Sequence, residues 1–177
     1  NEDLNKWDIG SVTTLNGMFR GMGSDIFNNN GQPLLWDTSK VTDMGAMFQK
    51  TTFNQNINTT TVNGIKYWDV SKVTSFNSMF YDNSSFLNTN DLSNWDTSNV
   101  TQMTAMFADV PNFSSTGSST LRESIRNWNV DNINLNLGNA DKWQWGFGYF
   151  YGFAPDEHAT IADFTFPVNT SPLFTLA

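Results

Sequence analysis

Apolar positions recur along this chain in a fixed register with each of the first four tryptophans, Trp7, Trp36, Trp68 and Trp95. Val12, Val41, Val73 and Val100 follow at the fifth position, and Leu15, Met44, Phe76 and Met103 at the eighth. Met-Phe pairs at 18/19, 47/48, 79/80 and 106/107 occupy the eleventh and twelfth. Positions eight, eleven and twelve stand in an i, i+3, i+4 relation, so the spacing predicts a short helical turn with one face in the core. Leu4, Ile65, Leu92 and Ile125 sit three residues ahead of a Trp and predict a short strand entering each copy. Thr13, Thr42, Thr74 and Thr101 stand where a hydroxyl caps the first amides of such a turn.

Adding Trp128, the tryptophans are 29, 32, 27 and 33 residues apart, a period in the range of stacked-repeat architectures. One copy cannot bury its own Trp, Met and Phe, whereas a stack of four can. The expected fold class is therefore an α/β repeat solenoid with short parallel strands and helical turns, and Trp36, Met47, Phe48, Trp68, Met79 and Phe80 should line one continuous core. Variable stretches, residues 23–35 and 49–64, are placed on loops that absorb the differences in copy length. Asp8, Asp37, Asp69 and Asp96 follow the Trp directly, with Gly10, Ser39, Ser71 and Ser98 two residues later, a run suited to Asx turns. As a calcium ladder it would supply one carboxylate per copy, far below the roughly six to eight oxygens that calcium takes.

The runs from Trp36 to Phe48 and from Trp95 to Phe107, with Phe53-Asn54-Gln55-Asn56-Ile57 after the first, resemble the BspA-like leucine-rich-repeat-type surface protein repeat, known also from mycoplasma-type lipoproteins. The resemblance covers about residues 1 to 128. It implies right-handed, leucine-rich-repeat-like coils, export to a cell surface, and roles in adhesion or surface assembly, and it brings no catalytic residues with it. Related repeats also occur in proteins of large viruses.

The pattern changes after Trp128. Asn139 and Ala140 stand where Met-Phe would fall, while Ile133, Leu135 and Leu137 alternate with Asn at the period of a strand. Trp143, Trp145, Phe147, Tyr149, Tyr151 and Phe153 then take every other position, with Gly146, Gly148 and Gly152 between them, and Phe164, Phe166 and Val168 form a third alternation. The expected organisation is a four-repeat solenoid over 1–127, then a degenerate fifth repeat and a β-rich aromatic cap over 128–177. The cap shields the last coil. In part it also offers an interaction surface made of Trp143, Trp145, Gly146, Gly148, Tyr149, Tyr151 and Gly152, suited to a neighbouring subunit or to sugar rings.

Charge and composition narrow the function. Nine Lys and Arg against 17 Asp and Glu give a net charge of −8, so the phosphate-neutralising attraction that drives nucleic-acid binding is missing. No apolar run approaches the roughly 20 residues needed to span a bilayer. Cysteine is absent, which removes disulfides and thiolate metal sites. The chain opens on Asn1, partway through a repeat, which reads as a trimmed product. Low charge with abundant Asn, Ser and Thr points to an extracellular or cell-surface protein, or alternatively to a virion.

No catalytic constellation stands out. His158, the sole histidine, lies beside Asp156 and Glu157 with no second ligand or triad partner in view. No Walker or Rossmann glycine pattern occurs, and no cofactor or metal is expected. Asn58, Asn83, Asn99, Asn112 and Asn169 each open an N-x-[ST] triplet and are possible N-glycosylation sites. The expectation is a non-enzymatic exported protein acting in adhesion, display or surface assembly, with other protein subunits or a host or cell-surface ligand as partners. It belongs to a longer chain or an assembly. A structural subunit of a virion or extracellular filament is one alternative, and a carbohydrate-binding module using the aromatic strand is another.

Overall fold

A computed structural model describes residues 3–22, 27–86, 90–107, 110, 120–125, 128–129 and 132. Regular secondary structure is sparse among them. A 3-10 turn spans Asn29–Gly31, strands β1 (Thr60–Val62) and β2 (Ile65–Tyr67) form a two-stranded antiparallel sheet, and one six-residue helix, α1, covers Thr120–Ile125.

These elements overturn the α/β solenoid of leucine-rich-repeat type. The described residues hold no recurring strand-helix unit, and the one sheet is an open pair of antiparallel strands. The resemblance to the BspA-like leucine-rich-repeat-type repeat fails with it, as do the cell-surface adhesion role and the virion or filament role that were argued through such a solenoid.

The backbone explains why the Met-Phe segment is not helical. Gly17, Ala46, Ser78 and Ala105, ten residues after their tryptophans, have φ of 64°, 53°, 55° and 53°. Helical residues need negative φ. Instead Met18 N–H donates to the Leu15 carbonyl, Met47 to Met44 and Met79 to Phe76, each closing a four-residue turn whose third residue has positive φ. That is the signature of a type II β-turn. A second such turn follows at 19–22 and at 80–83, around Gly21 (φ 69°) and Asp82 (φ 52°).

Opening the backbone into turns frees alternate N–H groups, and these join one copy to the next. Leu15, Gly17, Phe19 and Gly21 donate to the carbonyls of Asp43, Gly45, Met47 and Gln49 at 2.8 to 3.1 Å. Met44, Ala46, Phe48 and Lys50 donate in the same way to Ser75, Asn77, Met79 and Tyr81, and Phe76, Ser78 and Phe80 to Gln102, Thr104 and Met106. Single parallel bridges Thr14↔Asp43, Asp43↔Ser75 and Ser75↔Gln102 mark the line of contact. The threonines join this ladder and do not cap a helix. Thr42 Oγ1 donates to the Thr13 carbonyl, Thr74 Oγ1 to Thr42, and Thr101 Oγ1 to Thr74.

Inside the stack lies one hydrophobic cluster holding Trp36, Met47, Phe48, Trp68, Met79 and Phe80, all buried as their columns predict. Aromatic rings form continuous files through it. Phe19, Phe48, Phe80 and Phe107 stack at centroid separations of 5.7, 5.8 and 5.4 Å. A second file runs beside it, with Phe27 against Phe19, Phe53 against Phe48 and Phe86 against Phe80, at 4.0, 4.0 and 3.9 Å. Phe27, Leu34, Phe53 and Ile57 are buried although they lie in stretches read as loops, so those segments carry core as well as length.

Ile65 departs from its expected place. It is 51% exposed on β2, paired with Val62 across the Asn63-Gly64 turn, whose φ values of 51° and 80° fit the type I′ hairpin. The hairpin is an insertion, and Ile57 lends its carbonyl to the Trp95 indole where Leu4 and Leu92 serve Trp36 and Trp128.

Candidate functional site

The tryptophan column has one exposed member. Trp36, Trp68, Trp95 and Trp128 are buried, and each donates its indole N–H to a backbone carbonyl of Leu4, Leu34, Ile57 and Leu92 respectively. Trp7 is 52% exposed. One face of its ring stacks on Trp36, at 6.3 Å and 13° between planes. A flat indole that continues a buried column yet meets solvent is apolar area of the kind that binding surfaces use.

Around Trp7 the outer edge of the first coil has its own hydrogen-bonding pattern. Within the stack, carbonyls seven, nine and eleven residues after Trp36, Trp68 and Trp95, and thirteen after Trp36 and Trp68, accept from the neighbouring coil. In the first coil these are Thr14, Asn16, Met18 and Arg20, and none accepts a bond among the described residues. Thr13 N–H, equivalent to the inter-coil donors Thr42, Thr74 and Thr101, is also unpaired among them. The edge thus reads one donor, then four acceptors.

The aspartates are turn-formers. Asp8, Asp37, Asp69 and Asp96 each accept from the backbone N–H two residues on, at 3.0 to 3.1 Å, closing the Asx turns that their spacing predicts. Hydrogen bonds from Ser39 hold the Asp37 carboxyl below the ordinary aspartate range, and Ser98 does the same for Asp96. At Asp69 burial pushes the pKa up, but hydrogen bonds from Ser71 and Lys66 outweigh it and the net direction is down. Lys66 Nζ lies 3.0 Å from its carboxylate. Asp37, Asp69 and Asp96 are thus held ionised, the opposite of what a general acid needs. Among the described residues no group of three or more His, Asp or Glu is placed to hold a metal ion.

A cleft of about 330 Å³ opens between Pro33, Leu35, Asn56, Asn58, Thr59, Thr60, Trp68 and Asn94. Its walls carry amides and hydroxyls and no ionisable side chain, so they provide neither acid, base nor nucleophile activation.

The predicted modification sites separate by burial. Asn83 is 0% exposed, with Nδ2 donating to the Thr51 hydroxyl and the Phe53 carbonyl at 3.0 and 3.1 Å and Oδ1 accepting from Ser85 and Phe86 N–H. No room remains on that amide for a glycan in the folded chain. Asn58 is half-buried and tied to Asp91 and Asn94. Asn99 is exposed, with Nδ2 on the Ser71 carbonyl at 2.7 Å. Asn112, Asn169 and the whole aromatic surface of Trp143, Trp145, Gly146, Gly148, Tyr149, Tyr151 and Gly152 lie outside the described residues, as does His158. The row of carbonyls beside Trp7 was not legible in the sequence, because it depends on turns that the spacing did not announce.

No helix among the described residues is long and apolar enough to cross a membrane. No curated protein and no solved structure matches the chain. A family model does match, over residues 1–63 and 58–138, and so takes in the four tryptophan copies and the start of the fifth. On that coverage the chain belongs to the family described as Mycoplasma protein of unknown function, DUF285.

Proposed function

We propose that this chain is a non-catalytic module whose Trp7 edge is covered by further polypeptide, of the same protein or of a partner. The observation that carries the reading is the 52% exposure of Trp7 at the end of a column whose other members are buried. Tryptophan is enriched at the anchoring centres of protein interfaces because it offers a large rigid area at low entropic cost. The row of unpaired carbonyls beside it adds the directional bonds that fix register. The turn-held aspartates and the uncharged cleft support a non-catalytic role.

Photo-crosslinking tests this in cells that make the protein. A photoreactive residue at position 7 should form adducts with polypeptide, within the same protein or from a partner, while the same residue at position 62, on the tip of the exposed hairpin, should form few. Adducts at 62 with none at 7 would overturn the reading.

A further inference from the structure

The chain holds three Asn-Gly pairs, Asn16-Gly17, Asn30-Gly31 and Asn63-Gly64, and the fold gives them different chemical surroundings. An Asn side-chain amide can be attacked by the backbone nitrogen of the next residue, and a following glycine hinders that attack least because it has no Cβ. The attack needs a side chain free to turn, a nitrogen not engaged in a hydrogen bond, and a backbone able to leave its resting conformation.

Two of the pairs lack these freedoms. Gly17 N–H donates to the Gly45 carbonyl at 2.8 Å in the ladder between coils, and Asn16 Nδ2 is held by the Asp43 carboxylate at 2.9 Å. Gly31 N–H donates to the Asn28 carbonyl at 2.8 Å, inside a turn anchored by fully buried Asn29. The Asn29 amide in turn serves Leu4 N–H and the Gln32 and Pro33 carbonyls. Rearranging either pair breaks bonds that join distant parts of the chain.

Asn63-Gly64 is placed otherwise. Both residues are exposed at the tip of the β1–β2 hairpin, and a Cβ on Gly64 would meet no atom within 4 Å. Neither the Asn63 side chain nor the Gly64 N–H has a hydrogen-bond partner among the described residues. Only three residue pairs hold the hairpin, Val62 and Ile65 are 44% and 51% exposed, and a lone two-stranded hairpin is marginal in water. It therefore opens at little cost while the coils stay folded.

We propose that Asn63 is a site of self-driven modification, losing its side-chain amide to the Gly64 nitrogen. That nitrogen, giving up its proton, bonds to Asn63 Cγ; the Cγ–Nδ2 bond breaks, and Nδ2 takes up a proton and leaves as ammonia. Water then opens the resulting five-membered imide at either carbonyl, leaving aspartate or isoaspartate at position 63. Both products add a negative charge. Isoaspartate also lengthens the main chain by a methylene, so the two-residue turn no longer sets Val62 opposite Ile65.

Peptide mapping by mass spectrometry of the purified 177-residue chain, aged in mildly alkaline buffer, tests this, with electron-transfer fragmentation to tell isoaspartate from aspartate. In the folded chain, conversion at position 63 should outpace that at 16 and 30 by at least about tenfold, because its rate follows the population of the locally open state. In concentrated urea the three positions should convert at similar rates, since only the shared Asn-Gly chemistry remains. Position 16 or 30 converting as fast as 63 in the folded chain overturns the assignment. So does a position 63 that stays intact in the fold while it converts in urea, or one whose lead persists undiminished in urea.

Discussion

The indole Nε1 of Trp36 donates to the carbonyl oxygen of Leu4 at 3.0 Å, reaching across 32 positions of sequence from one coil to the one before it. Trp128 makes the same bond to Leu92 at 3.1 Å. Each tryptophan therefore fills core volume and also satisfies a carbonyl that no ladder bond reaches. Trp36→Phe keeps an aromatic ring but trims buried volume and leaves the Leu4 carbonyl with only the Trp7 N–H, and should cost about 1 to 3 kcal/mol by urea denaturation. Trp7→Phe removes no such bond from the interior and should change stability by less than about 0.5 kcal/mol.

Phe80 sits within one aromatic file and against the other, touching Phe48, Phe86 and Phe107. Phe80→Ala should destabilise by about 3 to 5 kcal/mol, since rings fixed by neighbours above and below cannot collapse into the space. A near-neutral midpoint shift would mean that the files are not packed as described.

Gly45 and Ala46 hold opposite constraints side by side. A Cβ on Gly45 would lie 2.9 Å from Asn16 Nδ2 and 3.3 Å from the Asn77 carbonyl, so Gly45→Ala must displace the Asn16 side chain and press on the backbone of the next coil. Ala46 carries a φ of 53°, a region that costs a side-chain-bearing residue about 1 kcal/mol, so Ala46→Gly should be neutral or stabilising by up to about 1 kcal/mol. Thermal melts of the two variants should move in opposite directions.

The depressed carboxyls of Asp37 and Asp96, and of Asp69 on balance, set the acid limit. A carboxyl whose folded pKa lies below its unfolded value contributes stability that is complete above the unfolded pKa, about 4. That contribution drains away as pH falls through the folded values. Stability should thus be flat with respect to these groups above about pH 5 and decline below it, and Asp37→Asn should flatten the acid limb of a pH-midpoint curve.

Expression through a eukaryotic secretory route tests the asparagine assignments by peptide mapping. Asn83 should carry no glycan, and Asn83→Leu should cost about 2 kcal/mol or more, because the Phe53 carbonyl and the Ser85 and Phe86 amides lose a buried partner. Asn99, exposed and bonded only through Nδ2, is the described triplet that should accept modification.

The buried columns were legible because register within a copy is constant: Trp, Val, Met and Phe recur at fixed offsets whatever the backbone does between them. Backbone conformation was not legible from the same offsets, since i, i+3, i+4 spacing suits a helical turn and a pair of type II turns alike. The informative residues were Gly17 and Gly21 in the first copy, but Ala46, Lys50, Ser78 and Asp82 fill the same positive-φ positions later and hide the pattern. Ile65 was misplaced because the Asn63-Gly64 hairpin inserts residues between the true core contributor, Ile57, and Trp68. The second phenylalanine file escaped notice for a related reason, as Phe27, Phe53 and Phe86 trail their Met-Phe pairs by unequal distances. At the candidate site, the donor-acceptor order of the Trp7 edge needed the turn geometry.

Residue-resolved amide hydrogen exchange is the most direct test of turn-built coils joined by a ladder and open at Trp7. The structure predicts protection at Leu15, Gly17, Phe19 and Gly21 in the first coil and at Met44, Ala46, Phe48 and Lys50 in the second, whose amides bond to the next coil, with fast exchange at Thr13 in dilute solution. Unprotected Leu15, Gly17, Met44 and Ala46, as the first amides of isolated helical turns would be, or a protected Thr13 in a demonstrated monomer, would contradict it.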